Sequence, residues 1–334
     1  MDLNAESGYA IGVGLNLLSA IAVLVDIRGK LILRVKTDTP RQNSVDVMDA
    51  VLKLINDLLI QAKEYRDKIK GIGIGVAGIV DSKRETVRWP EKNKDNCNYS
   101  LITLPVKDTL EKEFNLSVRV DNDATLACFG EQWLAQEADV KDLIYMFSGV
   151  GCGIMINGEI YRGASGCAGE VSICNTDKKE DSYYDMDKIY FLRRWDIDLG
   201  VLNSTKKKLQ SDKNSKIWKF CGNSLENLNL KHIFEAVRLE DSLALDIVKK
   251  AARDLGIKIA FLVNLFNPQM VIIGGGLEEM GVSFIDEIRR TVSRWAFEET
   301  SSAVKIIPSR LGENAVALGA ANLIVREVFA NVKE

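Results

Sequence analysis

Asp121, Asn122 and Asp123 set an amide between two carboxylates where a strand-like run at 117–120 gives way to a helical pattern. In α/β folds, ligand-binding groups project from the carboxyl ends of strands into a crevice. A carboxylate placed there can take the proton of a sugar hydroxyl while the neighbouring amide fixes that hydroxyl, as general-base phosphoryl transfer requires. The same residue types cap helices, and spacing alone leaves both readings open. Other chemistries are harder to assemble. His232 is the single histidine and has no Cys or second His at ligand spacing, so it reads as structural. Neither a histidine-based triad nor a His-rich metal site fits. Six cysteines without a CxxC pair read as free thiols of a reducing compartment.

Elements that could position these groups follow from periodicity. Residues 9–38 read as three strands, with Arg28-Gly29 as a hairpin turn. An apolar stripe over 47–62 predicts a helix covering that sheet. A strand at 72–76 ends in a Gly-rich turn, and a helix at 105–114, the strand 117–120 and a helix at 125–138 follow. A second meander starts at 143, with strands at 143–147 and 153–156 and the turn Asn157-Gly158 before a further strand. Its order echoes 9–38, so the pattern predicts an α/β protein of two similar halves with a cleft between them. From 174 to 219 the composition turns to Lys, Asp, Asn and Ser, which reads as a solvated lobe. Beyond it come a helix at 241–266, a strand at 270–273, the triplet Gly274-Gly275-Gly276, a helix near 284–297, a strand at 304–307 and a closing helix from Ala315. The closing helix is expected to pack back on the first domain.

Five stretches in this order, GIGIGVAGIVD (71–81), VDNDAT (120–125), INGEIYRGASGCAGE (156–170), NLFNPQMVIIGGGL (264–277) and GENAVALGAA (312–321), resemble the ROK family of bacterial repressors, open reading frames and sugar kinases. The match runs in register over nearly the whole chain except about 175–230. The resemblance implies a two-domain actin-like ATPase (ribonuclease-H-like) fold with a cleft between the domains. The first domain would span 1–123 plus the C-terminal helix at about 316–334, the second 124–315 with a variable lobe at about 175–230. It further implies that Asp123 stands at the catalytic base position or serves only to bind sugar, that Asn122 and Glu170 hold sugar hydroxyls, and that Gly78 lines the sugar pocket. Gly149, Gly151, Gly274, Gly275 and Gly276 would face a nucleotide. A homodimer is also implied.

The departures from the family's kinases concentrate on the phosphate side. Those kinases show Asp-x-Gly-Gly-Thr where this chain has Gly14-Leu15-Asn16-Leu17-Leu18. Glycines let amides approach phosphate oxygens, and the hydroxyl and carboxylate neutralise charge that develops in the transition state. Leu17 and Leu18 do neither. In MFSGVGCG (146–153) Phe147 replaces the first glycine of the second phosphate loop, as in repressors of the family. Ala77 stands where the kinases have proline. Ile173 replaces a zinc-binding and sugar-touching histidine, and Cys221-Gly222-Asn223 is all that faces the family's cysteine run, so no zinc is expected.

With 44 Lys+Arg against 47 Asp+Glu, the formal charge of −3 supplies no field to hold a nucleic-acid backbone. No apolar run approaches a membrane span, which reads as cytoplasmic. About eight residues precede the first strand, too few for a winged helix at this end. The sequence therefore predicts a sugar-binding protein resembling the effector domain of sugar-responsive repressors, without kinase activity, direct nucleic-acid contact or membrane contact. The alternative is an ATP-dependent hexose or amino sugar kinase, and only that alternative calls for ATP and Mg²⁺.

Overall fold

Residue size alternates along Tyr-Ala-Ile-Gly-Val-Gly-Leu, and along Gly-Ile-Gly-Ile-Gly-Val sixty residues later; that alternation builds the first sheet. In a computed structural model, which describes residues 4–38, 44–81, 86–92, 99–135, 139–148, 151–171 and 198–330, these segments are β1 (Tyr9–Leu15) and β4 (Ile69–Val76). Successive side chains of a strand point to opposite faces. The large residues Ile11, Val13, Ile72 and Ile74 therefore meet α1 (Ser44–Gln61) in one fully buried core. The small residues turn to the other face, which α10 (Ala315–Ala330) covers. A Cβ on Gly12 would fall on the Ala317 carbonyl oxygen, and one on Gly73 on that of Ala320. Backbone meets backbone here, which only glycine permits.

The first sheet runs β3-β2-β1-β4-β8, with β2 (Ser19–Asp26), β3 (Leu31–Asp38) and β8 (Val118–Asn122). β1, β2 and β3 pair antiparallel, and β4 lies parallel to both β1 and β8. β5 (Ile79–Asp81), β6 (Thr86–Lys92) and β7 (Tyr99–Leu104) make a separate three-stranded sheet that periodicity did not predict. α2 (Val106–Phe114) leads into β8, and α3 (Asp123–Leu134) leaves it. Helix α3 begins two residues earlier than expected because Asn122 caps it; the expected residues 136–138 lie outside the described ones.

A second sheet, β11-β10-β9-β12-β13, repeats the first one's order with β9 (Leu143–Phe147), β10 (Gly151–Ile156), β11 (Glu159–Ile160), β12 (Met270–Gly274) and β13 (Lys305–Pro308). The predicted solvated lobe is helical where it is described. It contains α4 (Val201–Leu209) and α5 (Lys216–Phe220), followed by α6 (Leu230–Arg238). Lys206, Lys207 and Lys208 occupy the last turn of α4, where cations complement the helix dipole. Residues 175–197 of that lobe lie outside the described ones. α7 (Ser242–Phe266), α8 (Val282–Trp295) and α9 (Glu298–Ala303) complete the helices. The described residues group into two compact units, one drawn from Met1–Lys141, Gly153–Gly169 and Arg310–Glu334, the other from Asp142–Cys152 and Glu170–Ser309. Helix α3, which starts at the 123/124 boundary read from sequence, packs on α10 within the first unit. Among the described residues no helix is long and apolar enough to cross a membrane.

A methyl group at the α10 contact has nowhere to go. Gly73→Ala should lower unfolding stability by about 1–3 kcal/mol, the usual cost of overpacking a tight interface, as read by urea denaturation at constant m.

Candidate functional site

At the carboxyl end of β8 the chain turns directly into α3, and Asn122 makes the turn. Its Oδ1 accepts the Thr125 amide at 3.1 Å, and its Nδ2 donates to the Gly78 carbonyl at 3.2 Å. The amide thus performs the capping that spacing left open, and it also ties the Gly78 turn to the helix start. Asp123 is buried, and its Oδ1 accepts the Ala124 amide at 2.7 Å. Gly78, Asn122 and Asp123 are brought together. Asp121, which sequence reasoning left without a role, accepts its neighbour's amide at 2.8 Å and the Arg162 guanidinium at 2.7 Å. Burial pushes the Asp121 carboxyl above the ordinary carboxylate range, and Arg162 opposes that shift. Arg162 belongs to a loop closed by the Ala168 amide on its own carbonyl.

Glu170 and Gly151 lie in the second unit, paired in an isolated antiparallel bridge. Glu170 keeps much of its surface open, yet the protein crowded about its carboxyl raises its pKa. Behind it, Lys258 of α7 is almost fully buried, and its Nζ donates to the Val171 carbonyl at 2.9 Å. Burial brings Lys258 down to about 8, and it pushes the neighbouring Cys152 thiol up to about 12. Arg162 and Lys258 were both missed. A lone lysine in the apolar run Leu-Gly-Ile-Lys-Ile-Ala was a signal for the second.

In the first unit, the loop between β1 and β2 is closed on itself. Asn16 Oδ1 accepts the amides of Leu18 at 2.9 Å and Ser19 at 2.8 Å, together with the Ser19 hydroxyl. Glu313 also accepts that hydroxyl, at 3.3 Å. Arg34 and Lys36 hold the Glu313 carboxylate from β3, while Arg34 Nε donates to Asn314 Oδ1. In the second unit, Gly275 has φ +72°, and a Cβ on it would approach the Ser148 amide and the Phe147 ring at 2.8 and 3.0 Å. A Cβ on Gly274 would collide with the Tyr145 hydroxyl. The Gly276 amide donates to Glu278 Oε2 at 2.9 Å. Gly149 and Ile173 lie outside the described residues, among which no group of His, Cys, Asp or Glu could hold a metal ion.

A protein-family model described as the ROK family matches residues 9–180 and 209–327, most of the chain. The chain belongs to the ROK family. It is 27% identical to a xylose repressor of Caldicellulosiruptor bescii over 338 residues, 99% of this chain and 81% of that protein. It is 26% identical to a glucokinase of Thermotoga maritima over 329 residues, 95% of this chain and 98% of the other. Among solved structures it resembles a ROK glucokinase of Streptomyces griseus in complex with glucose and AMPPNP, with a TM-score of 0.75 and 27% identity, covering 95% of this chain and 99% of that one. The two-domain actin-like fold expected from the motifs is therefore the fold of this chain. Its ROK relatives include both repressors and kinases.

Glu313 gives the site a pH signature. Its partial burial works against ionisation, but the hydrogen bond from Lys36 and the charges of Lys36 and Arg34 win and hold its carboxyl below the ordinary range. A lowered folded pKa stabilises above the unfolded value, about 4.3, and that contribution fades as pH falls through the folded one. Glu313→Gln should therefore melt below the wild type at pH 7, by on the order of 1 kcal/mol for so exposed a network. The gap should close in melts run below about pH 4.

Proposed function

We propose that this ROK chain binds a sugar and does not transfer phosphate to it, in the manner of a repressor's effector domain. One observation carries the reading: three backbone amides in the stretches that the family's kinases turn toward phosphate and nucleotide are already satisfied by the chain's own oxygens. Leu18 and Ser19 donate to Asn16, and Gly276 donates to Glu278. Phosphoryl transfer depends on preorganised donors aimed at the developing charge. Around Asn16 and at Gly276 these donors are spent on the chain's own oxygens. The sugar-side groups keep their chemistry. Asp123 and Asn122 retain carboxylate and amide at a strand end beside Gly78, and Glu170 offers a second carboxylate for sugar hydroxyls. The kinase alternative rests on Asp123 and on the likeness to glucokinases, and one set of measurements decides between the two.

D-Glucose or D-xylose should raise the melting temperature, and ATP with Mg²⁺ should not. Asp123→Ala should weaken sugar binding by about tenfold or more, the scale of one charge-assisted hydrogen bond. Turnover near the usual kinase rate of about 1 per second, abolished by Asp123→Asn, would overturn this reading in favour of a kinase.

We infer that the chain pairs with a second copy of itself through the second unit. Phe261 and Leu265 lie one helical turn apart on α7 and are 47% and 61% exposed. Asn264, between them, accepts the Phe297 amide at 3.0 Å, which brings the 71%-exposed Phe297 alongside. Such an apolar patch calls for a partner, and two-fold pairing is the commonest solution. Light scattering at micromolar concentration should give a dimer, and Leu265→Glu with Phe297→Glu should give a monomer.

A further inference from the structure

Glu170 is held from two sides, and only one of them is ordinary. On one side its backbone pairs with Gly151 at the start of β10. On the other, an ammonium group comes through the interior. Lys258 is 2% exposed and spends a donor on the carbonyl of Val171, the residue after Glu170. A buried ammonium is costly unless its donors are held, and the Val171 carbonyl holds one of them.

The helix that carries it is stiffly placed. Two residues before Lys258, Gly256 lies so close to α8 that a Cβ there would stand 2.6 Å from Thr291 Cβ. Lys258 thus reaches Val171 from a rigid support rather than from a mobile loop. The link from the lysine to Glu170 runs through one peptide unit, that of Val171.

We propose that Lys258 is the positioning residue for Glu170: by holding the Val171 carbonyl, it fixes with the Gly151 bridge the direction in which the Glu170 carboxylate meets a sugar hydroxyl. The inference rests on the reading of Glu170 as a sugar ligand. Burial keeps the ammonium less basic than an exposed lysine, but its role here is as a donor in fixed geometry.

Calorimetric titration of the full chain with D-glucose and D-xylose tests it on Lys258→Met, Lys258→Gln, Glu170→Ala and the Lys258→Met/Glu170→Ala double variant. Lys258→Met should bind roughly tenfold more weakly, the effect of misdirecting one charge-assisted hydrogen bond. Lys258→Gln, which keeps an N–H donor, should recover part of that loss. If Lys258→Met fails to fold, Lys258→Gln carries the same comparison. In the double variant the lysine change should cost nothing beyond Glu170→Ala, because it acts through that side chain. If Glu170→Ala binds like the wild type, or the wild type takes up neither sugar, the reading of Glu170 falls and this inference with it. If Glu170→Ala weakens binding while Lys258→Met does not, or if the two losses multiply in full, the positioning role alone is overturned.

Discussion

The close approach of α10 to β1 and β4 is the constraint on which the first unit depends. Gly12 and Gly73 let the helix backbone lie against the sheet, where any side chain would meet a carbonyl oxygen of the helix. That contact fixes β4, and β8, which carries Asn122 at its end, pairs with β4 from Ile72 to Val76. It also fixes what stands just before the helix. Glu313 and Asn314 lie at the threshold of α10 and reach β3 through Arg34. One packed interface therefore places both Asn122 at the end of β8 and the carboxylate that bonds to the β1–β2 loop.

That loop turns its amides toward the chain itself. A phosphate loop offers amide hydrogens outward. Here Asn16 turns two of them inward, as Asx turns do, and its own Nδ2 donates to the Glu313 carbonyl. Leu17 is buried as well. Glu278 plays the corresponding part at Gly276 in the second unit. In both places an acidic or amide side chain takes up backbone amides.

Much of this was legible. The two meanders, α1 and α7 were carried by periodicity and by local turn signals, which act over a few residues, and the family motifs by resemblance. The alternation Gly-Ile-Gly-Ile-Gly-Val was visible too, but it reads as the approach to a turn until the covering helix is known. The sheet β5–β7 escaped because Pro90, Glu91 and Lys92 sit inside β6, where proline and charge argue against a strand. Helix α4 escaped because three consecutive lysines look like solvent-facing loop until their place at a helix end is seen. At the site, the residue types of Asn122, Asp123 and Glu170 announced themselves. The partners of Asp121 and Val171 did not, since Arg162 and Lys258 come from elements distant in sequence and meet them only in the folded chain.

The α10 contact also bears on how the molecule is made. β1 and β4 are synthesised early, and the helix that covers their small-residue face comes some 240 residues after β4. Until then that face of the sheet is bare, and the core on the other face must hold the strands together by itself. Domains usually fold as units during synthesis, N-terminal parts first. This one is interrupted by the second unit, whose chain runs continuously from Glu170 to Ser309. The second unit can therefore finish first, and the ribosome delivers the last piece of the first unit to a sheet that has been waiting for it.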